Sequence, residues 1–403
     1  MKILVLAGGA DQIALVQELK KRGNNTIILI DYFENPPAKR YVDQHIVAST
    51  LDCEEVKRIA LSEQVDLICT ACTDQALLTV AKVSEELSLP CYISYQTALN
   101  VTNKSYMKKV MKEYSIPTSQ YVILDSFDND SLQSFNYPLV VKPVDCNSSK
   151  GVRKVETDEE LQCALKAAVS YSRTHTAIVE EYKDGNEISA DFYIDNGVVK
   201  YLCATGSNKI KNTSSFTIVQ SYYPVVTPEQ EKALVQIANQ IAVAFNLDNT
   251  PLLVQLILKD GAFNVLEFSA RMGGGSKYKL IEVLSGVDIM SKYVDLILGE
   301  VPSIEPLKST NYAVMNYVYC LPGTIKQFEG FQDLQEMQYI QAYFYYKTEG
   351  MEITKSETSS DRSAGYLVVA STKQELRDKI SYIDSHLSIF DINGMDIMLH
   401  DFF

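Results

Sequence analysis

Polar residues that could bind a metal ion and a phosphate lie in an otherwise apolar stretch, residues 252–275. Glu267, Ser269 and Arg271 occupy alternate positions, which would place a carboxylate, a hydroxyl and a guanidinium on one face of a strand. Gln255 interrupts the apolar run before them, and three glycines follow them. A buried charge is costly unless it is paired or coordinates a metal, so two interpretations remain open. One is an internal Glu–Arg ion pair, and the other is a Mg²⁺ and phosphate site.

A β-hairpin is predicted to carry these residues. Asp260-Gly261 separates two strand-like runs, and an Asp-Gly pair in that position is a strong hairpin signal. Strict alternation along the second strand would place Phe263 and Val265 on the same face as Glu267. The glycines that follow would let the backbone approach a ligand closely.

The composition is that of an ordinary globular protein with two or three domains. The chain has 403 residues, of which 46% are hydrophobic and 22% charged. Its net charge of −14 argues against nucleic acid and anionic membrane surfaces as partners. No apolar run approaches the roughly 20 residues of a membrane span. Eight scattered cysteines suit a reducing cytoplasm, and Cys69 and Cys72 have no second pair that would complete a zinc site.

Residues 1–95 alternate strand and helix, which predicts a parallel sheet with right-handed crossovers. The first turn lacks the G-x-G-x-x-G spacing, which argues against a dinucleotide site. We also expect a short strand at residues 90–93 and one helix over residues 97–117, with Lys104 near its middle. Ligands of such a sheet bind at the carboxyl ends of its strands. The residues at those ends are Gly8, Gly9, Asp31, Thr73 and Asp74.

A second candidate anion site begins at Lys142, which ends an apolar strand. The loop that follows contains Ser148, Ser149 and Gly151, and such a loop offers several backbone N–H groups to an anion. It lacks the spacing of a P-loop, and a plain surface turn is the alternative.

Three acidic residues cluster around a predicted turn in the three strands of residues 177–206. Glu180, Glu181 and Glu187 lie on strands that are otherwise apolar, so they need partners. Lys183 lies between them.

Taken in order, these motifs resemble the ATP-grasp ligase superfamily over nearly the whole chain. They are most similar to the branch with carbamoyl-phosphate synthase large chain, biotin carboxylase, purine ligases and amino-acid ligases. The resemblance implies an α/β and α+β fold in three parts. These are a Rossmann-like domain (1–95), a split ATP-grasp domain (96–304) and a small C-terminal α+β domain (305–403).

The resemblance also implies a role for each motif. It implies ATP with two Mg²⁺ ions, which Mn²⁺ could replace, and Ser269 departs from the asparagine usual at its position. The implied roles are Lys104 and Lys142 at the phosphates, Ser148 to Gly151 as the closing loop, Glu180 to Lys183 at the adenine, Glu187 at the ribose, Gln255, Glu267 and Ser269 at the metals, and Arg271 at the acyl phosphate.

The implied activity is a carboxylate–amine ligase that works through an acyl phosphate, on small-molecule acid and amine substrates. Met272 and the glycines stand where a biotin carboxylase would carry Gln-Val-Glu-His, and small residues leave space for an amino-acid-like substrate. A purine ligase of the phosphoribosylglycinamide synthetase type and a catalytically quiet ATP-binding protein are the alternatives. The resemblance is also compatible with a homodimer.

Overall fold

The structure is a computed structural model that describes residues 1–146, 150–210 and 216–400. Ser148 and Ser149 of the predicted phosphate loop therefore lie outside the described residues. Within the described ranges, four sheets and their helices give the mixed α/β and α+β fold that the sequence predicts.

The N-terminal region contains the predicted parallel sheet, with strand order β3-β2-β1-β4. Its apolar strands are buried between helices, as a parallel sheet requires. The predicted strand at residues 90–93 is absent from the described structure, where these residues form a turn-rich connection. The elements are β1 (Lys2–Leu6), α1 (Ala10–Lys21), β2 (Thr26–Asp31), β3 (Gln44–Val47), α2 (Cys53–Glu63), β4 (Leu67–Cys69) and α3 (Asp74–Leu87).

The helix predicted over residues 97–117 is instead two helices, α4 (Tyr95–Thr102) and α5 (Lys104–Glu113). Asn103 breaks it, because this residue is extended and its side chain accepts a hydrogen bond from the Tyr106 N–H. Lys104 is therefore the first residue of a helix rather than a mid-helix residue.

A small antiparallel sheet with order β5-β8-β6-β7 follows. Helix α7 packs against it over a separate apolar core. Its elements are β5 (Tyr121–Leu124), α6 (Asn129–Leu132), β6 (Leu139–Pro143), β7 (Arg153–Val155), α7 (Asp158–Tyr171) and β8 (Ala177–Glu181).

The largest sheet has eight strands in the order β13-β12-β9-β10-β11-β14-β18-β16. Its last three strands follow residue 304, so this sheet runs across the predicted boundary between the second and third parts. After residue 276 the chain forms two helices separated at Gly286, which adopts a left-handed conformation. The elements up to that boundary are β9 (Asn186–Asp195), β10 (Val198–Lys209), β11 (Ile218–Tyr223), α8 (Pro228–Ala244), β12 (Thr250–Lys259), β13 (Ala262–Ser269), α9 (Lys277–Ser285) and α10 (Ile289–Ile297).

The C-terminal part adds a three-stranded sheet, β17-β15-β19, and two helices over its own apolar core. No helix in the described part of the chain is long and apolar enough to cross a membrane. The elements are β14 (Tyr312–Val318), β15 (Gly323–Glu329), α11 (Phe331–Glu336), β16 (Ala342–Tyr345), β17 (Glu352–Ile353), β18 (Ala364–Ala370), α12 (Lys373–Asp384) and β19 (Ser388–Asp391).

The predicted hairpin is present as β12 and β13, but strict alternation along β13 is wrong. Gln255 faces Glu267 across the pair and Leu256 faces Val265, so the register shifts at Leu266. Such a bulge inserts one extra residue and changes which face the following side chains occupy. Phe263 and Val265 consequently pack in the apolar core, whereas Glu267 lies on the other face.

Candidate functional site

A cavity of about 840 Å³ lies between the large sheet, the N-terminal sheet and the C-terminal strands. One face of the large sheet forms the floor of this cavity. Side chains alternate along its strands, so one set packs in the apolar core and the other set faces the cavity. Of the residues predicted at the strand ends, Gly9, Asp31, Thr73 and Asp74 line it.

The three predicted metal ligands, Gln255, Glu267 and Ser269, all line this cavity. Gln255 lies directly opposite Glu267 in the strand pair. Burial alone would raise the pKa of Glu267, but the Lys104 and Lys142 ammonium groups outweigh it and the pKa lies below its ordinary value. An ionised carboxylate beside an amide and a hydroxyl is a set of oxygen donors that suits Mg²⁺.

The described residues contain no group of three or more His, Cys, Asp or Glu side chains that could hold a metal. A metal bound at Glu267 would therefore need the neutral oxygens of Gln255 and Ser269, with water or phosphate oxygens as its remaining ligands. The residues fit Mg²⁺ on these terms.

Lys104 occupies the position next to Glu267. Its Nζ lies 3.2 Å from Glu267 Oε2 and donates a hydrogen bond of 2.8 Å to the Cys146 carbonyl. The side chain is largely buried, so its charge is little screened by solvent. The N-terminal position of Lys104 on α5, which Asn103 fixes, directs the ammonium group into the cavity.

Lys142 belongs to a buried network that the sequence did not predict. Its Nζ lies 2.5 Å from Glu180 Oε1, and Lys108 Nζ lies 2.9 Å from Glu180 Oε2. Lys108 also donates to Thr118 Oγ1 at 2.6 Å, and Thr118 donates to the Val265 carbonyl at 2.9 Å. The network thereby connects the small sheet to the strand that carries Glu267.

Sequence reasoning missed Lys108 because it lies on the same helix as several other lysines. The one available signal was its spacing, four residues after Lys104, which places both on one side of α5. The two lysines outweigh the effect of burial and lower the pKa of Glu180 to about 2. With both carboxylate oxygens in ion pairs, Glu180 would have to release a lysine in order to contact an adenine amino group.

The remaining predicted nucleotide residues lie outside the cavity lining, near the ends of β8 and β9. Glu181 pairs with Lys183 at 2.7 Å, and Glu187 pairs with Lys209 at 2.5 Å. Gly151 adopts a positive φ of 74° beside Pro143, which is the end of the strand that carries Lys142. The roles of these residues stay predictions.

Arg271 does not form the internal ion pair with Glu267 that the sequence left open. Its guanidinium binds Asp74 through two hydrogen bonds, Nε to Oδ1 at 2.8 Å and Nη2 to Oδ2 at 2.5 Å. Nη1 donates to the Met272 carbonyl at 2.8 Å. Two parallel bonds fix the plane of a guanidinium, so the N-terminal region orients this arginine.

A second contact joins the N-terminal region to the glycine segment, which is residues 273–275. Asp11 accepts hydrogen bonds from the Gly275 N–H at 3.2 Å and the Ser276 N–H at 2.8 Å, just before α9 begins. A carboxylate at this end of a helix is stabilised by the free N–H groups and the helix dipole. Asp11 was not predicted, although its place in the first turn of a parallel sheet was a usable signal.

The C-terminal part closes the far side of the cavity with residues that were also not predicted. The Arg362 guanidinium lies 3.5 Å from the centre of the Tyr317 ring. A Cβ atom on Gly275 would lie 2.5 Å from Arg362 Nη1, and the φ of Gly275 is 72°. Only glycine fits at that position.

Comparison with known proteins agrees with this geometry. The family model for the ATP-grasp domain matches residues 135–279. These residues form an ATP-grasp domain. The predicted resemblance to the ATP-grasp superfamily is confirmed over these residues, whereas the ATP- and Mg²⁺-dependent ligase activity, its acid and amine, and the residue roles stay proposals.

Relatives are similar to this chain over most of its length. The phosphoribosylamine–glycine ligase of Lactococcus lactis is 23% identical over 326 residues, which are 77% of this chain and 78% of that protein. The L-amino acid ligase from Bacillus licheniformis has a TM-score of 0.76 and 20% identity, covering 97% of this chain and 98% of that one. The biotin carboxylase domain of Hydrogenobacter thermophilus 2-oxoglutarate carboxylase has a TM-score of 0.79 and 19% identity, covering 96% and 90% of the two chains.

Substitution of Glu180 with glutamine tests the buried network. We expect Glu180→Gln to lower the free energy of unfolding by about 3 kcal/mol at pH 7, because it leaves two buried ammonium groups without a carboxylate. The pKa of Glu180 is depressed when folded, so the stability it contributes is present above pH ~4 and is lost as the pH falls toward 2.

Urea denaturation of the wild type and Glu180→Gln at pH 7, 5, 4 and 3 measures this effect, and the difference between them should narrow at pH 3. Glu181→Gln is the matched control, because the Glu181–Lys183 pair is partly exposed and should contribute no more than about 1 kcal/mol. Equal stability losses in the two variants would contradict the prediction.

Substitution of Asp74 with asparagine tests the orientation of Arg271. We expect Asp74→Asn to lower the turnover rate about 10²-fold, because an arginine held by a single weak contact no longer keeps its productive geometry. Steady-state ADP formation measures the effect. Asp295→Asn is the control. Asp295 pairs with Arg22 at a distance of 2.7 Å, and it is not among the residues that line the cavity. A turnover rate in Asp74→Asn that matches this control would refute the positioning role.

Proposed function

We propose that this protein is a carboxylate–amine ligase that activates its acid substrate as an acyl phosphate. One observation carries the proposal: Lys104, Glu267 and Arg271 converge on one cavity beside the glycine segment. Phosphoryl transfer needs charge neutralisation and positioning more than covalent help from the protein, and these groups provide both. The proximity of Lys142 to Glu267, evident in the lowered pKa of that carboxylate, extends the site toward the small sheet.

In the proposed arrangement each predicted residue keeps one role. Lys104 and Lys142 neutralise the phosphates of ATP. Gln255, Glu267 and Ser269 would hold Mg²⁺, which would neutralise negative charge on the triphosphate. The residues proposed for the rest of the nucleotide are Ser148, Ser149 and Gly151 as the loop over the phosphates, Glu180, Glu181 and Lys183 at the adenine, and Glu187 at the ribose.

The chemistry proceeds in two steps. A carboxylate oxygen of the acid attacks the γ-phosphorus, and ADP leaves with the electron pair of the bond that breaks. The amine nitrogen then attacks the acyl carbon, and phosphate leaves. Arg271 stabilises the negative charge that the acyl phosphate carries.

An amino-acid-like acid is the substrate class that the glycine segment supports. Gly273, Gly274 and Gly275 all line the cavity without side chains, so they leave space that larger residues would fill. A purine ligase activity is the second candidate, because the similarity to the phosphoribosylamine–glycine ligase of Lactococcus lactis covers 77% of this chain.

Hydroxylamine trapping tests the acyl phosphate directly. We expect the protein with ATP, Mg²⁺, hydroxylamine and a pool of amino acids to produce ADP and an acyl hydroxamate in equal amounts. Hydroxylamine reacts with acyl phosphates without a specific amine site, so the first step is detected even before the natural amine is known. Coupled ADP assays and mass spectrometry of the hydroxamate measure the two products.

The same assay separates the candidate functions. Hydroxamate from an amino-acid pool that lacks glycine supports the amino-acid hypothesis, and product formation that requires glycine supports the purine hypothesis. Binding of ATP without ADP formation from either set would overturn the ligase proposal in favour of a quiet ATP-binding protein.

Substitution of Glu267 with glutamine tests the metal site. We expect Glu267→Gln to abolish ADP formation, because it removes the one charged metal ligand while keeping the size of the side chain. Glu282→Gln is the matched control, since Glu282 pairs with Lys279 on α9 and is partly exposed. Normal melting temperatures with activity lost only in Glu267→Gln are the expected result, and full activity in that variant would reject the assignment.

A further inference from the structure

Among the described residues, one carboxylate beside the cavity lacks a partner with hydrogen-bond geometry, although the Gly273 N–H lies close enough to favour its charged form. Asp191 on β9 is only 2% exposed, and neither of its oxygens has a hydrogen-bond partner among the described residues. It shares a face of β9 with Ser189, which lines the cavity, whereas Ile188 and Ala190 lie in the apolar core on the other face. A buried carboxylate without donors is unfavourable, so it calls for a ligand that supplies them.

The charged and titratable groups around Asp191 come from every element that packs against it. Lys277 of α9 is the nearest cation, and Arg271 after β13 is the second. Cys203 on β10 and Cys72 after β4 also interact with its charge. Burial raises the pKa of Asp191. The Lys277 ammonium and the Gly273 N–H favour the charged form and lower the pKa, but the effect of burial is larger.

Lys277 does not neutralise Asp191 by direct contact. Its Nζ donates to Thr205 Oγ1 at 3.3 Å, and no carboxylate of the described residues lies within 4.0 Å of it. A Cβ on Gly273 would lie 3.2 Å from Asp191 Oδ1 and 2.9 Å from Lys277 Cδ. Gly273 and Lys277 both line the cavity, so Asp191 lies directly behind these two residues.

The strand register fixes how far Asp191 lies from the metal-binding face, which is the part of the sheet that carries Gln255, Glu267 and Ser269. Ser269 lies opposite Leu253, and Leu253 lies opposite Asp191, so the three residues are neighbours across β13, β12 and β9. At the usual strand spacing, Asp191 is roughly 10 Å across the sheet from Ser269. An acyl group activated at the metal-binding face would reach its amine in the space between them.

We infer that Asp191 binds the acceptor amine and accepts the proton that the nitrogen must lose before it attacks the acyl phosphate. The inference rests on the proposed function and assigns its second substrate to a protonated amine. An ammonium group supplies the donors that Asp191 lacks, and it enters a site that already contains the opposing charge. Proton transfer to a buried carboxylate then leaves a neutral, nucleophilic nitrogen.

The protons and electrons of this step balance. The ammonium gives one proton to Asp191, and the lone pair that is freed forms the C–N bond. The C–O bond to phosphate breaks, and phosphate leaves with its electron pair. The second proton of the nitrogen goes to the departing phosphate, which leaves as hydrogen phosphate, and Asp191 releases its proton to solvent when the amide leaves.

Two nucleophiles distinguish this role from a structural one. The nitrogen of hydroxylamine is uncharged at pH 7, whereas the amines of an amino-acid pool are protonated and need a base. We expect Asp191→Asn to lower amide formation about 10²-fold or more while hydroxamate formation changes less than about threefold. Asp195→Asn, on the same strand and partly exposed, is the matched control and should leave both products unchanged.

A second variant covers the case in which Asp191→Asn folds poorly. Lys277→Met removes a cation that favours the charged form of Asp191, so the pKa of Asp191 rises. Amide formation, which is lost as the pH falls through that pKa, should then be lost at a higher pH than in the wild type. The pH profile of hydroxamate formation should not move.

The outcomes separate this inference from the proposed function. Equal losses of amide and hydroxamate in Asp191→Asn, or an unmoved amide pH profile in Lys277→Met, would overturn the role of Asp191 alone. Absence of hydroxamate from the wild-type protein would instead overturn the ligase proposal on which the inference rests.

Discussion

Charge pairing around the cavity is the constraint on which the site depends. Three cations that could neutralise a triphosphate each contact a carboxylate: Lys104 contacts Glu267, Lys142 contacts Glu180, and Arg271 contacts Asp74. Without those carboxylates, the burial of three positive charges would be strongly unfavourable. The pairs therefore keep the cavity folded and charged before any ligand enters, and a ligand binds by exchanging partners rather than by meeting bare charges.

The three ion pairs differ in how a cation could leave its carboxylate for a ligand, because each pair has different neighbours. The Lys104 ammonium lies beside Glu267, the carboxylate that would hold Mg²⁺ in the proposed function, so Lys104 would then be available to a phosphate. The Glu180 carboxylate retains Lys108 when Lys142 turns toward a ligand. The Arg271–Asp74 pair has two parallel bonds and needs no exchange, since the outer edge of a guanidinium can still donate.

The sequence predicted the local elements of the site and missed the contacts between distant residues. The Asp260-Gly261 hairpin followed from turn chemistry, and Gln255 and Glu267 do lie opposite each other. The bulge at Leu266 was not predictable from periodicity, since an extra residue leaves the apolar pattern looking continuous. Lys108 could not be identified either, because its carboxylate lies on a strand 72 positions further along the chain.

Asp191 differs from the other acids of the cavity in its lack of a structural partner. Asp11 accepts two backbone N–H groups and Asp74 accepts a guanidinium, so both have structural partners across the domain contacts. Asp191 has no such pair: the Lys277 ammonium and the Gly273 N–H favour its charged form, but neither meets its oxygens with hydrogen-bond geometry. A nearby cation that does not close the pair leaves room for a small charged group between them. The fold pairs the acids that hold its parts together and leaves unpaired the acid beside the glycine segment.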